Sequence, residues 1–149
     1  MKVADIMNAK VDSVTPNTSV LDAVKLIFKN NHNGLPVVLD SKNKLVGFIT
    51  DQDIISQCFP SIREYMDDVV RARNFTQMEK KLQEIMKLKV EKVMSRKVIA
   101  IRKDKPLLQA ESKMKLKDVA RLPVIDEKGF LIGILSKRDI FRALVGKSI

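Results

Sequence analysis

The chain contains no tryptophan, one tyrosine, a single histidine (His32) and a single cysteine (Cys58), and aromatic residues make up only 5% of it. Each scarcity closes off a class of chemistry. One thiol excludes an internal disulfide framework and leaves no Cys-x-x-Cys pair for zinc or redox work, so Cys58 reads as a small buried or half-buried side chain. The lone imidazole sits in Asn31-His32-Asn33-Gly34, which reads as a helix end and turn, and no serine or thiol motif offers it a nucleophile to activate. There is no P-loop and no G-x-G-x-x-G. The chain is therefore not expected to be an enzyme, to require a cofactor or to hold a metal. No apolar run approaches the roughly 20 residues that cross a bilayer. The first residues, MKVADIMNAKVDS, carry charges where a signal peptide would be apolar. A soluble, cytoplasmic protein with no membrane partner is expected.

What is present is enough to fold. The 149 residues, 45% hydrophobic and 31% charged, have ordinary globular composition and allow one domain or two small ones sharing a core. Lys and Arg outnumber Asp and Glu by 28 to 18, and the excess is uneven. Residues 1–70 carry a net charge of −2, residues 71–103 of +8 and residues 104–149 of +4. A basic middle favours anionic partners, whether phosphates, nucleic acid or an acidic protein, and is equally compatible with a solvated helix face.

An internal repeat organises the chain. VADIMNAKVDSVTPNTSVLDA at 3–23 aligns with VEKVMSRKVIAIRKDKPLLQA at 90–110, an offset of 87 that sets Met7 on Met94, Lys10 on Lys97 and Ala23 on Ala110. GLPVVLD at 34–40 aligns with RLPVID at 121–126. Thereafter the offset is 86, placing Gly47 on Gly133, Thr50 on Ser136 and Asp53 on Asp139. Each copy reads β-α-β-β-α. SVTP and IAIR are short first strands. SVLDAVKLIFKNNH has Val20, Leu21, Val24, Ile27 and Phe28 at helical spacing behind a Ser19/Asp22 capping box, and PLLQAESKMKLK opens with Pro106 in the first turn. LPVVL with LVGFIT, and LPVI with LIGILS, form hairpins. DQDIISQCF and KRDIFRALVG are the closing helices. Domain limits of 1–60 and 89–149 follow, joined by a helical connector at 61–88. There Ser61 with Glu64 and Thr76 with Glu79 have capping-box form, and Met78, Leu82, Ile85 and Met86 make one helical stripe, read as packing against the repeats.

The β-α-β-β-α repeat, with Pro-Val in its second strand and G-h-h-[ST]-x-x-D entering its last helix, resembles the CBS domain. What the resemblance implies is an α/β (α+β) fold. Two CBS repeats pack sheet to sheet about a pseudo-twofold axis as a tandem pair (Bateman module), leaving two clefts for adenosine-containing ligands: AMP, ADP, ATP or S-adenosylmethionine. It also implies regulation rather than catalysis, a homodimer and an unidentified regulated protein as partner. Carried over, Asp53 and Asp139 take the ribose hydroxyls, Thr50 and Ser136 lie near ribose or phosphate, and Thr15 matches a first-strand Thr. Asn33, Gly34, Ala120 and Arg121 precede the Pro-Val strands. Arg102 and Lys103 depart from the pattern where copy one has Thr15 and Pro16. Copy two also has Lys137 and Arg138 where copy one has Asp51 and Gln52, which suits its loop better to anionic ligands. The apolar faces of the closing helices, Ile54 with Cys58 and Ile140 with Leu144, are candidates for the dimer interface.

The chemistry of these residues is consistent with two readings. A carboxylate accepts from both hydroxyls of a cis-diol, and a helix N-terminus with Arg121, Lys137 and Arg138 nearby suits phosphate. Yet Thr50-x-x-Asp53 and Ser136-x-x-Asp139 are also capping boxes in form. A hydroxyl can cap a helix and still line a site. A rival function uses the basic stretch 71–103 to bind nucleic acid or serve as a scaffold; the shortage of aromatics there argues against base stacking.

Overall fold

The repeat is carried into the core. In the computed structural model, which describes residues 1–39, 43–59, 63, 66 and 74–146, matched residues are buried together: Val3 and Val90, Val20 and Leu107, Ala23 and Ala110, Ile27 and Met114, Leu35 and Leu122, Val37 and Val124, Ile49 and Leu135, Ile54 and Ile140. Each large side chain so buried contributes on the order of 1.5–3 kcal/mol.

In chain order the elements are α1 (Val3–Ile6), α2 (Val20–Lys29), β1 (Gly34–Leu39), β2 (Lys44–Thr50), α3 (Asp51–Ser56), α4 (Phe75–Ile85), a 3-10 turn at Val90–Lys92, β3 (Ile101–Arg102), α5 (Leu107–Lys117), β4 (Arg121–Ile125), β5 (Leu131–Ser136) and α6 (Lys137–Val145). The fold is mixed α/β, as the sequence implies. The short helical turns at α1 and Val90–Lys92 were not read from the sequence. They occupy matched positions.

Two compact units form. Unit 1 draws on Met1–Asp12, Val38–Val46 and Lys97–Ile149, and unit 2 on Ser13–Val37 and Gly47–Arg96. Unit 1 holds a sheet of order β3-β4-β5, with β3 parallel and β5 antiparallel to β4. Helix α5 packs on β4 and α6, and α1 on β5 and α6, around Val3, Ile101, Leu107, Met114, Leu122 and Leu135. Unit 2 holds the inner halves of the β1-β2 hairpin, with α4 packed on α3.

Both units exchange their lead-in segments. Residues before the first strand of copy one complete unit 1: Val3 N donates to Lys105 O at 2.9 Å, Ala4 N to Lys103 O at 3.0 Å, and Asn8 pairs with Ile134 in both directions. Their counterparts complete unit 2, with Val90 N donating to Thr18 O at 2.8 Å, Glu91 N to Pro16 O at 3.1 Å, and Ser95 pairing with Phe48. The contact needs glycine opposite each methionine. A Cβ on Gly133 would lie 2.6 Å from Met7 Sδ, and one on Gly47 2.7 Å from Met94 Sδ.

Local chemistry sets the boundaries. Copy one's first strand shrinks to a single parallel bridge, Val14 to Val37. Its counterpart gains a bond from Lys103 N to Ile125 O, which Pro16, at the position of Lys103, has no N–H to make. The Ser19 hydroxyl accepts from Asp22 N and caps α2, but only Val20, Ala23 and Ile27 of this helix are buried; Leu21 and Phe28 are exposed. Pro106 stands at the N-cap of α5, one position earlier than expected. Helix α2 is followed by Asn31 at φ 54° and α5 by Asp118 at φ 53°, short polar residues that tolerate the left-handed conformation. In the connector, Asn74 caps α4 by accepting from Gln77 N. Thr76 lies inside that helix, so the Thr76/Glu79 box is not formed, whereas Ser61 and Glu64 fall outside the described residues. Ile85 is buried, with Met78, Leu82 and Met86 half-buried beside it, so the expected stripe is the inward face.

The interface candidates need correcting. Ile54, Cys58 and Ile140 are core residues, 3%, 7% and 1% exposed. An apolar helix stripe marks the side that packs, and here it packs inward. Of the four candidates only Leu144 is exposed; the other exposed apolar side chains on these segments are Ile55 and Phe59 in unit 2 and Phe141 in unit 1.

Candidate functional site

The two hydroxyl-x-x-Asp turns are built alike. Thr50 and Ser136 end their strands in extended conformation at the N-caps of α3 and α6. In unit 2, Thr50 Oγ1 accepts from Asp53 N at 3.0 Å, while Asp53 Oδ2 accepts from Thr50 N at 2.9 Å. In unit 1, Ser136 Oγ accepts from Asp139 N at 3.1 Å and Asp139 Oδ2 from Ser136 N at 3.2 Å. Both are full capping boxes, so the structural role read from the sequence holds. An ionised carboxylate has about four lone-pair sites, and the cap uses one. Both acids are half-buried, and each retains capacity for the two hydroxyls of a cis-diol.

Each turn docks on the start of its Pro-Val strand. Asp51 N donates to Asn33 O at 2.9 Å and Lys137 N to Ala120 O at 3.0 Å. Gly34 is needed where it stands, since a Cβ there would lie 2.8 Å from Ile49 O and 2.9 Å from the Thr50 methyl. Thus Asn33, Gly34, Thr50 and Asp53 come together in unit 2, and Ala120, Arg121, Ser136, Lys137, Arg138 and Asp139 in unit 1. Arg121 pairs with Ser136 across β4 and β5, which places their side chains on one face.

Thr15 sits elsewhere. Its N–H donates to Thr18 Oγ1 at 3.1 Å, and the two hydroxyl oxygens are 3.2 Å apart. It lines an open groove of about 420 Å³ against the flank of α2, with Ser13, Val14, Thr18, Asp22, Lys25, Leu26 and Lys29. Asn33, Gly34, Thr50 and Asp53 are not among the groove's walls. Sequence reading missed this groove. Its signals are the two-residue spacing of Ser13 and Thr15, one face of an extended chain, and the four-residue spacing of Lys25 and Lys29 on a helix. In unit 1 the counterpart of Leu26 is Lys113, whose ammonium donates to the Ala100 carbonyl.

Elsewhere, burial raises the Cys58 thiol above its ordinary value, partly offset by Lys81. Among the described residues no cluster of His, Cys, Asp and Glu could hold a metal ion, and no helix is long and apolar enough to cross a membrane.

Paired β-α-β-β-α repeats, each closing on a capped [ST]-x-x-D turn, define a tandem module of the CBS type. Comparison agrees: the CBS domain profile matches residues 3–59 and 90–146, and the chain belongs to the CBS-domain family. It is 31% identical to the uncharacterized protein MJ1426 of Methanocaldococcus jannaschii, over 97% of this chain and 92% of that one. Of three further relatives it spans only 23%, 49% and 40%. Among solved structures it is similar to CBSX2 in complex with AMP, at TM-score 0.75 and 27% identity, with 99% of this chain and 98% of that one covered; CBSX2 is a CBS-pair protein of Arabidopsis thaliana. It is also similar to the CBS pair of protein MJ0100 in complex with 5′-methylthioadenosine and S-adenosyl-L-methionine, at TM-score 0.66 and 30% identity, with 99% and 98% covered. CBS pairs are typically regulatory modules rather than enzymes.

Proposed function

We propose that this CBS pair is a non-catalytic, cytoplasmic regulatory module that binds adenosine-containing ligands, AMP, ADP, ATP or S-adenosylmethionine, at its two capped turns. Asp53 and Asp139 hold the ribose hydroxyls, with Thr50 and Ser136 beside them. Asn33, Gly34, Ala120 and Arg121 line the strand starts, and Lys137 and Arg138 face the phosphates. Thr15, in the groove along α2, is not part of this site. The observation that carries the reading is that both turns leave a half-buried carboxylate with spare acceptor capacity in a chain whose relatives are crystallised with AMP and S-adenosylmethionine. No cofactor is needed for this role. The module works as a homodimer, joined through Leu21, Ile55 and Phe59 of unit 2 and Leu108, Phe141 and Leu144 of unit 1, all exposed. Leu21 matches Leu108 and Ile55 matches Phe141 across the repeat. Occupancy alters the dimer's contact with a regulated protein. Nucleic-acid binding through 71–103 is the weaker reading, because Glu79, Glu84 and Glu91 are exposed among Lys80, Lys81, Lys87 and Lys89.

The test is a thermal-shift and calorimetric screen of AMP, ADP, ATP, NAD and S-adenosylmethionine against wild type, Asp53→Ala and Asp139→Ala. A ligand at 100 times its Kd stabilises by about 2.7 kcal/mol. The reading predicts a raised melting temperature for at least one ligand and loss of binding when both acids are removed. No binding near millimolar concentration, or undiminished binding by the double variant, would sink it.

A further inference from the structure

The two turns share a backbone and differ in charge. In unit 2, Asp51 follows Thr50, and its Oδ1 accepts from Gln52 N at 2.7 Å. The carboxylate thus lies over a donor at the start of α3. The adjoining strand position, Gly34, is too hemmed in for any side chain. In unit 1 the residues matching Gly34, Asp51 and Gln52 are Arg121, Lys137 and Arg138. Arg121 begins opposite Ser136, and Lys137 N is tied to Ala120 O, so the backbone sets Arg121, Lys137 and Arg138 beside Ser136. Over four matched positions the formal charge is −2 in unit 2, from Asp51 and Asp53. It is +2 in unit 1, where Arg121, Lys137 and Arg138 outweigh Asp139.

A phosphate brought to either turn meets these charges first. In unit 1 it is drawn in by two guanidinium groups, which fit phosphate oxygens in pairs, and by one ammonium. In unit 2 it meets the Asp51 carboxylate on the donor it would need. An adenosyl ligand without phosphate suffers no such repulsion.

We propose that the two turns sort adenosine ligands by phosphate: unit 1 takes the phosphorylated ones, with Arg121, Lys137 and Arg138 determining specificity, and Asp51 restricts unit 2 to adenosyl ligands lacking phosphate. This inference rests on the nucleotide reading above. Reversing charge within a few ångströms of a phosphate shifts affinity by about tenfold or more at low salt, and by less at high salt.

The experiment is calorimetric titration at low ionic strength with adenosine, AMP, ADP and ATP. The proteins are wild type, Lys137→Asp/Arg138→Gln and Asp51→Lys/Gln52→Arg, with melting curves confirming each fold. Arg138→Gln alone, at an exposed position, serves if the first double variant fails to fold. Wild type is expected to take one equivalent of ATP per chain. The unit 1 variant should lose about tenfold in ATP affinity with adenosine binding kept, and the unit 2 variant should gain a second ATP equivalent. An ATP-to-adenosine preference that is the same in all three proteins would overturn the sorting and leave the nucleotide reading intact. Failure of all four ligands to bind wild type would overturn the sorting, and failure of S-adenosylmethionine as well would overturn the nucleotide reading with it.

Discussion

The exchange of lead-in segments makes a prediction that a repeat sequence alone would reverse. Met7 and Gly47 belong to the same sequence copy, yet Met7 lies on Gly133, and Met94 on Gly47. Consider Gly133→Ala. In an unstrained position, replacing glycine by alanine stabilises by about 0.4–1 kcal/mol through the unfolded chain. Here the new methyl would stand 2.6 Å from Met7 Sδ, 3.0 Å from Met7 Cγ and 3.1 Å from the Asn8 carbonyl. Overpacking of this kind costs about 1–3 kcal/mol, so the net change is a loss of about 1–2 kcal/mol. Met7→Ala removes the two closest atoms and, at a half-buried site, costs about 1–2 kcal/mol alone. Since the two changes relieve one another, the double variant is expected to be about 1 kcal/mol more stable than the sum of the singles. Met94→Ala should show the same coupling with Gly47→Ala and none with Gly133→Ala. Urea denaturation of the eight variants and wild type measures it. Rescue of Gly47→Ala by Met7→Ala, or strict additivity throughout, would refute the crossed packing.

Two further expectations concern Cys58 and the exposed helix flanks. Burial raises the Cys58 thiol, so its contribution to stability is intact below the ordinary value of 9.0 and is lost as pH rises through the higher native value. At pH 8, native protein should react with iodoacetamide at least about tenfold more slowly than urea-unfolded protein, the thiolate being the reacting form; equal rates followed by mass spectrometry would show the thiol to be accessible. Phe141→Ser, at a side chain 66% exposed, should leave the melting temperature of dilute protein within a few degrees and weaken self-association about tenfold or more in sedimentation equilibrium. An unchanged dimer constant would remove this flank from the interface.

Much of the fold can be read from the sequence, because the signals that carry it are local. Alternation and helical spacing identify buried faces, and the offset of 87 pairs Val20 with Leu107 and Leu35 with Leu122 before any coordinates are known. Periodicity does not say which core a face enters, so the exchange of Met7 and Met94 was invisible. Nor does it tell a buried face from an exposed one, since the apolar stripes at Ile54 and Ile140 look the same whether or not something already covers them. Caps are read less securely where candidates crowd: Asn74 and Thr76 compete two residues apart, and Asn74 prevails. At the turns, the bonding of Thr50 with Asp53 and of Ser136 with Asp139 was legible because capping needs those residues at that spacing. The bond from Gln52 N to the Asp51 carboxylate depends on a rotamer, and only the structure gives it.

The crossed lead-in segments also bear on how the chain acquires its fold. Val3 and Ala4 bond to Lys105 and Lys103, contacts spanning about a hundred positions, so the first dozen residues of unit 1 emerge from synthesis long before their partners. Closing so long a loop is entropically costly, and folds dominated by such contacts form slowly. Unit 2 needs only Ser13–Val37 and Gly47–Arg96, all translated before unit 1's sheet exists. Contact order thus favours closure of unit 2 first, with Met1–Asp12, made before every segment it pairs with, secured late.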